Sequence, residues 1–147
     1  MAPLPDGRYI IQSVSAKKFI GRSPREDLSL NPKRVMLLPE GIRAPFFEVK
    51  SSGSGYKILA GGNPTAEFDR SLWAILLDRP PAEEWKIQAI PQSGPNRYII
   101  TKPNGFEGWV LPLDDPETQI AVRPLIIGPS EPPFYPPNQL WEIRPYN

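Results

Sequence analysis

The chain has 147 residues, of which 39% are hydrophobic and 22% charged, so it can bury a sizeable core without a metal or a covalent staple. It contains neither His nor Cys, which removes Ser-His-Asp and Cys-His catalysis, thiol redox chemistry, disulfides and nearly every zinc site. With 17 basic against 16 acidic residues the net charge is +1, and no basic surplus points to nucleic acid or an anionic membrane as a partner.

The first residues, Met1-Ala2-Pro3-Leu4-Pro5-Asp6, have neither the positive start nor the apolar stretch of a secretory signal, so a cytoplasmic protein is expected. No apolar run approaches the ~20 residues that cross a bilayer. With 21 Pro and 11 Gly, long helices have little room.

Three units follow one another along the chain. The first opens with Gly7-Arg8-Tyr9-Ile10-Ile11, runs through the apolar stretches Lys18-Phe19-Ile20 and Arg34 to Leu38, and closes with Phe47-Glu48-Val49. The second opens with Gly55-Tyr56-Lys57-Ile58-Leu59, continues through Thr65 to Phe68 and Leu72 to Leu77, and closes with Trp85-Lys86-Ile87. The third opens with Asn96-Arg97-Tyr98-Ile99-Ile100, continues through Gly108-Trp109-Val110-Leu111 and Ile120 to Ile127, and closes with Trp141-Glu142-Ile143. Each opening is a turn residue followed by strand formers, and each closing phrase is an aromatic, a charged and a β-branched residue. Tyr9 to Tyr56 spans 47 residues and Tyr56 to Tyr98 spans 42, the period of a repeated supersecondary unit.

Four short strands per unit make twelve. This pattern predicts an all-β protein, a single β-trefoil domain over residues 1–147 with repeats at about 7–52, 55–92 and 96–147. Six strands would close a barrel, six would form the hairpins that cap it, and the repeated Tyr, Phe and Trp would fill the shared core. Residues 65–79 offer a helical alternative: they lack Pro and Gly, and Phe68, Leu72, Ile75 and Leu76 fall at helical spacing behind Thr65 as N-cap. Strands are expected there because the corresponding stretches are rich in Val, Ile and Leu and are broken by Pro32 and Pro124.

The chemistry left to such a chain is limited to carboxylates, Lys and Tyr. The acidic pairs Glu26-Asp27, Glu83-Glu84 and Asp114-Asp115 lie in polar or Pro-rich loops and read as solvated surface charge. A glycosidase would need two carboxylates ~5 to 10 Å apart, which sequence does not supply. Gly61-Gly62-Asn63-Pro64 is a turn without the Gly-Lys-Ser or Gly-Lys-Thr ending of a phosphate cradle. No enzymatic activity, cofactor or metal is expected. Gln139-Leu140-Trp141 matches the Gln-x-Trp of sugar-binding β-trefoil lectins, but Pro45-Phe46-Phe47 and Glu83-Glu84-Trp85 stand at the equivalent places, so Trp141 is read as a core plug. Carbohydrate binding is the alternative function.

A stretch without a strand of its own runs from Arg22 to Pro32, and a compact domain seldom carries such a loop idly. Pro24 and Pro32 limit its backbone, and Ser23, Asp27, Ser29 and Asn31 can hydrogen-bond it internally. A stiff loop that presents Arg22 or Arg25 suits the carboxylate-floored pocket of a trypsin-like protease, where it binds like a substrate yet is too preorganised to relax after cleavage.

The segment Glu26-Asp27-Leu28-Ser29-Leu30-Asn31-Pro32-Lys33-Arg34-Val35-Met36-Leu37-Leu38 resembles the signature stretch of the mushroom β-trefoil serine protease inhibitor family, the cospin- and cnispin-like trypsin inhibitors. Further matches are Gly7-Arg8-Tyr9, Asn63-Pro64-Thr65-Ala66, Arg97-Tyr98-Ile99-Ile100, Gly108-Trp109-Val110, Ile127-Gly128-Pro129-Ser130-Glu131-Pro132-Pro133 and Asn138-Gln139, spread over essentially the whole chain.

The resemblance implies a disulfide-free fungal β-trefoil that inhibits trypsin-like serine proteases reversibly, which suits a role in defence or protease regulation; the cytoplasmic location expected from the N-terminus leaves room for release from the tissue. In cospin-like members the reactive loop lies between the second and third strands, which here places it at Arg22, Ser23, Pro24, Arg25, Glu26, Asp27 and Leu28. Arg25, nearer the exposed middle, is the expected specificity residue, with Arg22 as the alternate because Arg22-Ser23 is chemically a good trypsin bond. Cnispin-like members use a Lys in the loop before the last strand, but here Gly128 to Pro137 carries no basic residue. Arg70 with Ser71 is a secondary candidate, whereas Lys102-Pro103, Arg79-Pro80 and Arg123-Pro124 are disfavoured by the Pro after each basic residue. A monomer is the expected state.

Overall fold

The computed structural model describes residues 4–23, 25–53, 55–77 and 82–146. Its strands fall in three sets of four. They are β1 Gly7–Ser13, β2 Ile20–Arg22, β3 Lys33–Leu37 and β4 Phe47–Ser52; β5 Gly55–Ala60, β6 Asn63–Phe68, β7 Ser71–Ala74 and β8 Lys86–Ala89; and β9 Arg97–Thr101, β10 Glu107–Val110, β11 Ala121–Pro124 and β12 Trp141–Pro145.

Two kinds of pairing assemble them. The first and last strands of each set form a closed ring: β1 pairs with β4, β4 with β5, β8 with β9, β9 with β12, and β12 with β1. Reciprocal backbone bonds of 2.8 and 2.7 Å between Tyr56 and Trp85 join β5 to the start of β8 and complete it. The middle strands form the hairpins β2–β3, β6–β7 and β10–β11. These hairpins touch one another in a triangle, through Lys33 opposite Ala74, Ala121 opposite Ser71, and Met36 opposite Gln119. A six-stranded barrel capped by three hairpins is the β-trefoil that the repeats predict.

The repeated aromatics fill the barrel. Tyr9, Tyr56 and Tyr98 are buried on β1, β5 and β9, and Phe47, Trp85 and Trp141 are wholly buried where the closing phrases begin. Trp109 stands between Trp85 and Trp141 with edge-to-face centroid distances of 5.5 and 6.3 Å, the geometry that ring quadrupoles prefer. The indole N–H of Trp85 donates to Thr65 Oγ1 (2.9 Å), whose hydroxyl in turn donates to the Ile58 carbonyl (2.7 Å), and that of Trp141 donates to the Trp109 carbonyl (3.1 Å).

Residues 65–74 form a hairpin, not the helix that their spacing also allowed. Thr65 is consumed in the core, burial alternates along β7, and Asp69 and Arg70 take φ of 54° and 61°, the left-handed pair of a two-residue hairpin turn. Two strands are shorter than the apolar runs suggest. β7 stops at Ala74 instead of Leu77; β11 stops at Pro124, because the Phe106 N–H turns to Asn104 Oδ1 (2.8 Å) and does not return a bond to Leu125. Beyond Pro124 the Leu125 N–H donates to the Phe106 carbonyl, and the Gln139 side-chain amide brackets Ile126, accepting from its N–H (2.7 Å) and donating to its carbonyl (2.8 Å). Gln139 and Trp141 of the Gln-x-Trp match are therefore both buried structural residues.

Candidate functional site

The loop 23–32 joins the two strands of the β2–β3 cap hairpin, leaving at the end of β2 and returning at the start of β3. Arg22, opposite Val35 in that hairpin, directs its guanidinium back into the loop's base. Nε and Nη2 donate to the two Glu26 carboxylate oxygens at 2.8 and 2.7 Å, a bidentate fork, while Nη1 donates to Asn63 Oδ1 (2.8 Å) and the Ala60 carbonyl (3.2 Å). Gly61 makes room for this. Its φ is +59°, and a Cβ built on it would lie 2.8 Å from Arg22 Nη1. Both members of the ion pair are only 19% exposed, so Glu26 is not the solvated charge that its loop composition suggests; it lies against the barrel because Arg22 holds it there.

A second brace closes the other side. Lys33 at the start of β3 is buried, and its ammonium donates to Asp27 Oδ1, to the Asp27 carbonyl (3.2 Å) and to Ser29 Oγ (3.2 Å), which uses all three of its hydrogens. The same Asp27 Oδ1 accepts from the Ser29 N–H (3.0 Å) and hydroxyl (2.6 Å), and the Asn31 N–H reaches Ser29 Oγ (3.4 Å). The hydrogen bond from Lys33, followed by those from Ser29, holds the Asp27 carboxyl down at about 2.

Between the braces stands Arg25. Its backbone N–H donates to Ser23 Oγ (3.1 Å), its side chain is exposed, and among the described residues it makes no side-chain hydrogen bond or ion pair. Leu28 is fully exposed at 101% and Leu30 is exposed beyond it. Pro24, expected to stiffen this stretch, lies outside the described residues.

The secondary candidate is built differently. Arg70 sits with left-handed backbone in the tight turn between β6 and β7; its N–H donates to Glu67 Oε2 (2.9 Å) and its carbonyl accepts from Val122 (2.9 Å), while Ser71 begins β7. Lys102 donates to the other Glu67 oxygen (2.7 Å), which holds that carboxyl below its usual range and raises the lysine. Glu83 accepts from the Glu67 N–H (3.3 Å), lies 3.7 Å from Lys102, and is pushed up by burial; Glu84 accepts from the Ser52 hydroxyl (2.7 Å). The pair Glu83-Glu84 is thus engaged in the fold, contrary to the solvated reading, whereas Asp114 and Asp115 are exposed. Of the Pro-followed basic residues, Lys102 is tied to Glu67, Arg123 is exposed, and Arg79-Pro80 lies outside the described residues. Lys33, Asn63 and Gly61 support the loop, a role that neither the signature stretch nor the turn containing them disclosed; the turn at Gly61-Gly62-Asn63-Pro64 was legible, but not the guanidinium that packs on it.

The sequence matches the model of the peptidase inhibitor I66 family over residues 1–145. It is 40% identical over 141 residues to a serine protease inhibitor of Lentinula edodes, covering 95% of this chain and 96% of that protein. Among solved structures, a proteinase inhibitor from Coprinopsis cinerea superposes with a TM-score of 0.90 at 32% identity, over 97% of this chain and 99% of the other. A ricin B-like lectin of Macrolepiota procera, solved with lactose, superposes with a TM-score of 0.72 at 17% identity over 97% and 99% of the two chains, a likeness of fold alone.

Proposed function

We propose that this chain, which belongs to the peptidase inhibitor I66 family, is a reversible, substrate-like inhibitor of trypsin-like serine proteases that presents Arg25 to the protease specificity pocket. Its relatives are inhibitors of proteases and not enzymes, and the absence of His and Cys fits that class. The observation that carries the finer reading is the contrast between the two loop arginines. Arg22 has spent its guanidinium on Glu26, Asn63 and Ala60, and pulling it out would leave a partly buried carboxylate without its partner. Among the described residues the Arg25 guanidinium has no partner, while its backbone N–H donates to Ser23 Oγ and the next residue, Glu26, is held by Arg22.

A protease cleft with a carboxylate at its floor takes an extended, unencumbered Arg or Lys. The loop offers one on a stem already ordered, so little conformational entropy is lost on docking. Ser23, Glu26, Asp27 and Leu28 flank Arg25 in the contact, with Leu28 supplying exposed apolar surface beside the charge. Arg70 and Ser71 suit the task less well, because a left-handed turn residue departs from the extended backbone of a bound substrate. Carbohydrate binding loses its motif, since Gln139 and Trp141 are buried. A complex of one chain with one protease is the expected stoichiometry. Titration of trypsin with the wild-type chain and with Arg25→Ala and Arg22→Ala tests this reading: Arg25→Ala should lose inhibition, and its retention would refute it.

A further inference from the structure

The geometry points to Arg22 as a positioning residue that decides whether a protease bound at Arg25 is inhibited lastingly or merely consumes the loop. This inference rests on Arg25 being the residue in the specificity pocket and concerns the steps after docking. In that case the peptide bond under attack is Arg25–Glu26. The protease serine hydroxyl adds to the Arg25 carbonyl, an ester forms between them, the bond to Glu26 breaks, and the proton from the serine ends on the Glu26 amine. Two acceptors then compete for the ester. Water gives a free Arg25 carboxylate and a nicked, spent inhibitor; the Glu26 amine, if still in place, re-forms the peptide and returns the serine.

The outcome depends on where the new amine goes, and in this loop its side chain is tied down. Glu26 is held by both carboxylate oxygens to Arg22, and Arg22 is itself held to the barrel by Asn63 and Ala60, 41 and 38 residues away in sequence. The tether thus bypasses the cleaved bond: Ser23, Pro24 and Arg25 lie on one side, Glu26 on the other, and the ion pair joins the two stems through the barrel. An amine held within reach has a large effective concentration over one that drifts away, and it also occupies the line from which water must approach. Lys33 secures the next residue, Asp27, by its carbonyl and carboxylate, so the leaving segment is anchored at two successive residues.

The test is prolonged incubation with catalytic trypsin, read as intact chain by mass spectrometry beside the initial inhibition constant. Wild type should stay intact through many turnover times. Arg22→Ala should still inhibit at first, weakened by less than tenfold, yet be nicked between Arg25 and Glu26 at least tenfold faster and lose inhibition as it is cut. Should Arg22→Ala destabilise the barrel, Asn63→Ala and Glu26→Gln loosen the same tether at its two ends and should move nicking in the same direction with an unchanged melting temperature. Because the pair acts as a unit, the Arg22→Ala/Glu26→Ala double variant should be nicked no faster than the quicker single one. A purely structural role would instead give additive losses that follow stability. If Arg22→Ala and Glu26→Gln remain as intact as wild type while wild type inhibits through Arg25, the tether inference is overturned and the inhibitory reading stands. If Arg25→Ala inhibits as well as wild type, both are overturned.

Discussion

Lys33 and Asp27 are joined twice, the lysine ammonium donating to the carboxylate and to the main-chain carbonyl of the same residue, across the base of the loop that carries Arg25. The contact couples the first residue of β3 to an exposed turn. It has a measurable signature, because the bonds that lock the loop also hold the Asp27 carboxyl at about 2.

Asp27 is therefore expected to titrate near 2 by NMR in the folded chain, against 3.8 unperturbed. With the folded value below the unfolded one, its stabilising effect is complete above pH ~4 and is lost as pH falls from there through about 2. Loop resonances of Ser29 and Asn31 should shift over that window and not higher. In Lys33→Met the carboxyl should return toward 3.8; a wild-type midpoint already there would mean that the brace does not form in solution.

Arg25→Ala should weaken trypsin inhibition by about 4 kcal/mol or more, roughly a thousandfold, as for a residue that fills a pocket at the centre of an interface. The melting temperature should not move, since the side chain makes no hydrogen bond or ion pair among the described residues of its own fold. Arg25→Lys should keep most of the affinity, and Arg25→Leu should shift preference away from trypsin. Competition assays with a chromogenic substrate give all three values.

Thr65→Val should separate the scaffold from the site. It leaves the buried Trp85 indole N–H and Ile58 carbonyl without their Thr65 partner, a loss of about 1 to 3 kcal/mol in denaturant unfolding. The inhibition constant at temperatures where the variant is folded should match wild type. A large loss of inhibition without loss of stability would mean that the core and the loop are coupled in a way that the contacts do not provide.

Gly61→Ala and Gly62→Ala both place a side chain at positive φ, +59° and +82°, and each should lose about 1 to 2 kcal/mol of stability. Only Gly61→Ala meets another group, the Arg22 guanidinium, whereas nothing lies within 4 Å of a Cβ at Gly62. Gly61→Ala should thus be cut by trypsin faster than Gly62→Ala at equal stability. Equal cutting rates would contradict the placement of Arg22.

The trefoil was legible because the residues that repeat are the residues that fill its core. Tyr9, Tyr56 and Tyr98, and Phe47, Trp85 and Trp141, are aromatic for a packing reason that recurs three times, and their spacing marked the units directly. The hairpin at 65–74 was legible from comparison between units, although its own spacing also suits a helix. Strand ends were less so, since β11 stops where Asn104 takes the Phe106 N–H and the Gln139 side chain takes over the pairing at Ile126. The loop announced itself by length and proline, and its internal Ser and Asp bonds follow from local chemistry. The fate of Arg22 and Glu26 was hidden. Ala60 and Asn63, which hold Arg22 and through it Glu26, come from the next repeat, and only the folded barrel brings that turn beneath the loop. Two arginines three residues apart therefore look alike in sequence and differ wholly in structure.

Inhibition itself is best checked by titrating active trypsin with the purified chain. Residual activity should fall in proportion to added chain and reach a floor near one inhibitor per enzyme, and substrate excess should restore it. Full trypsin activity in the presence of a large molar excess of folded chain would refute the inhibitory reading.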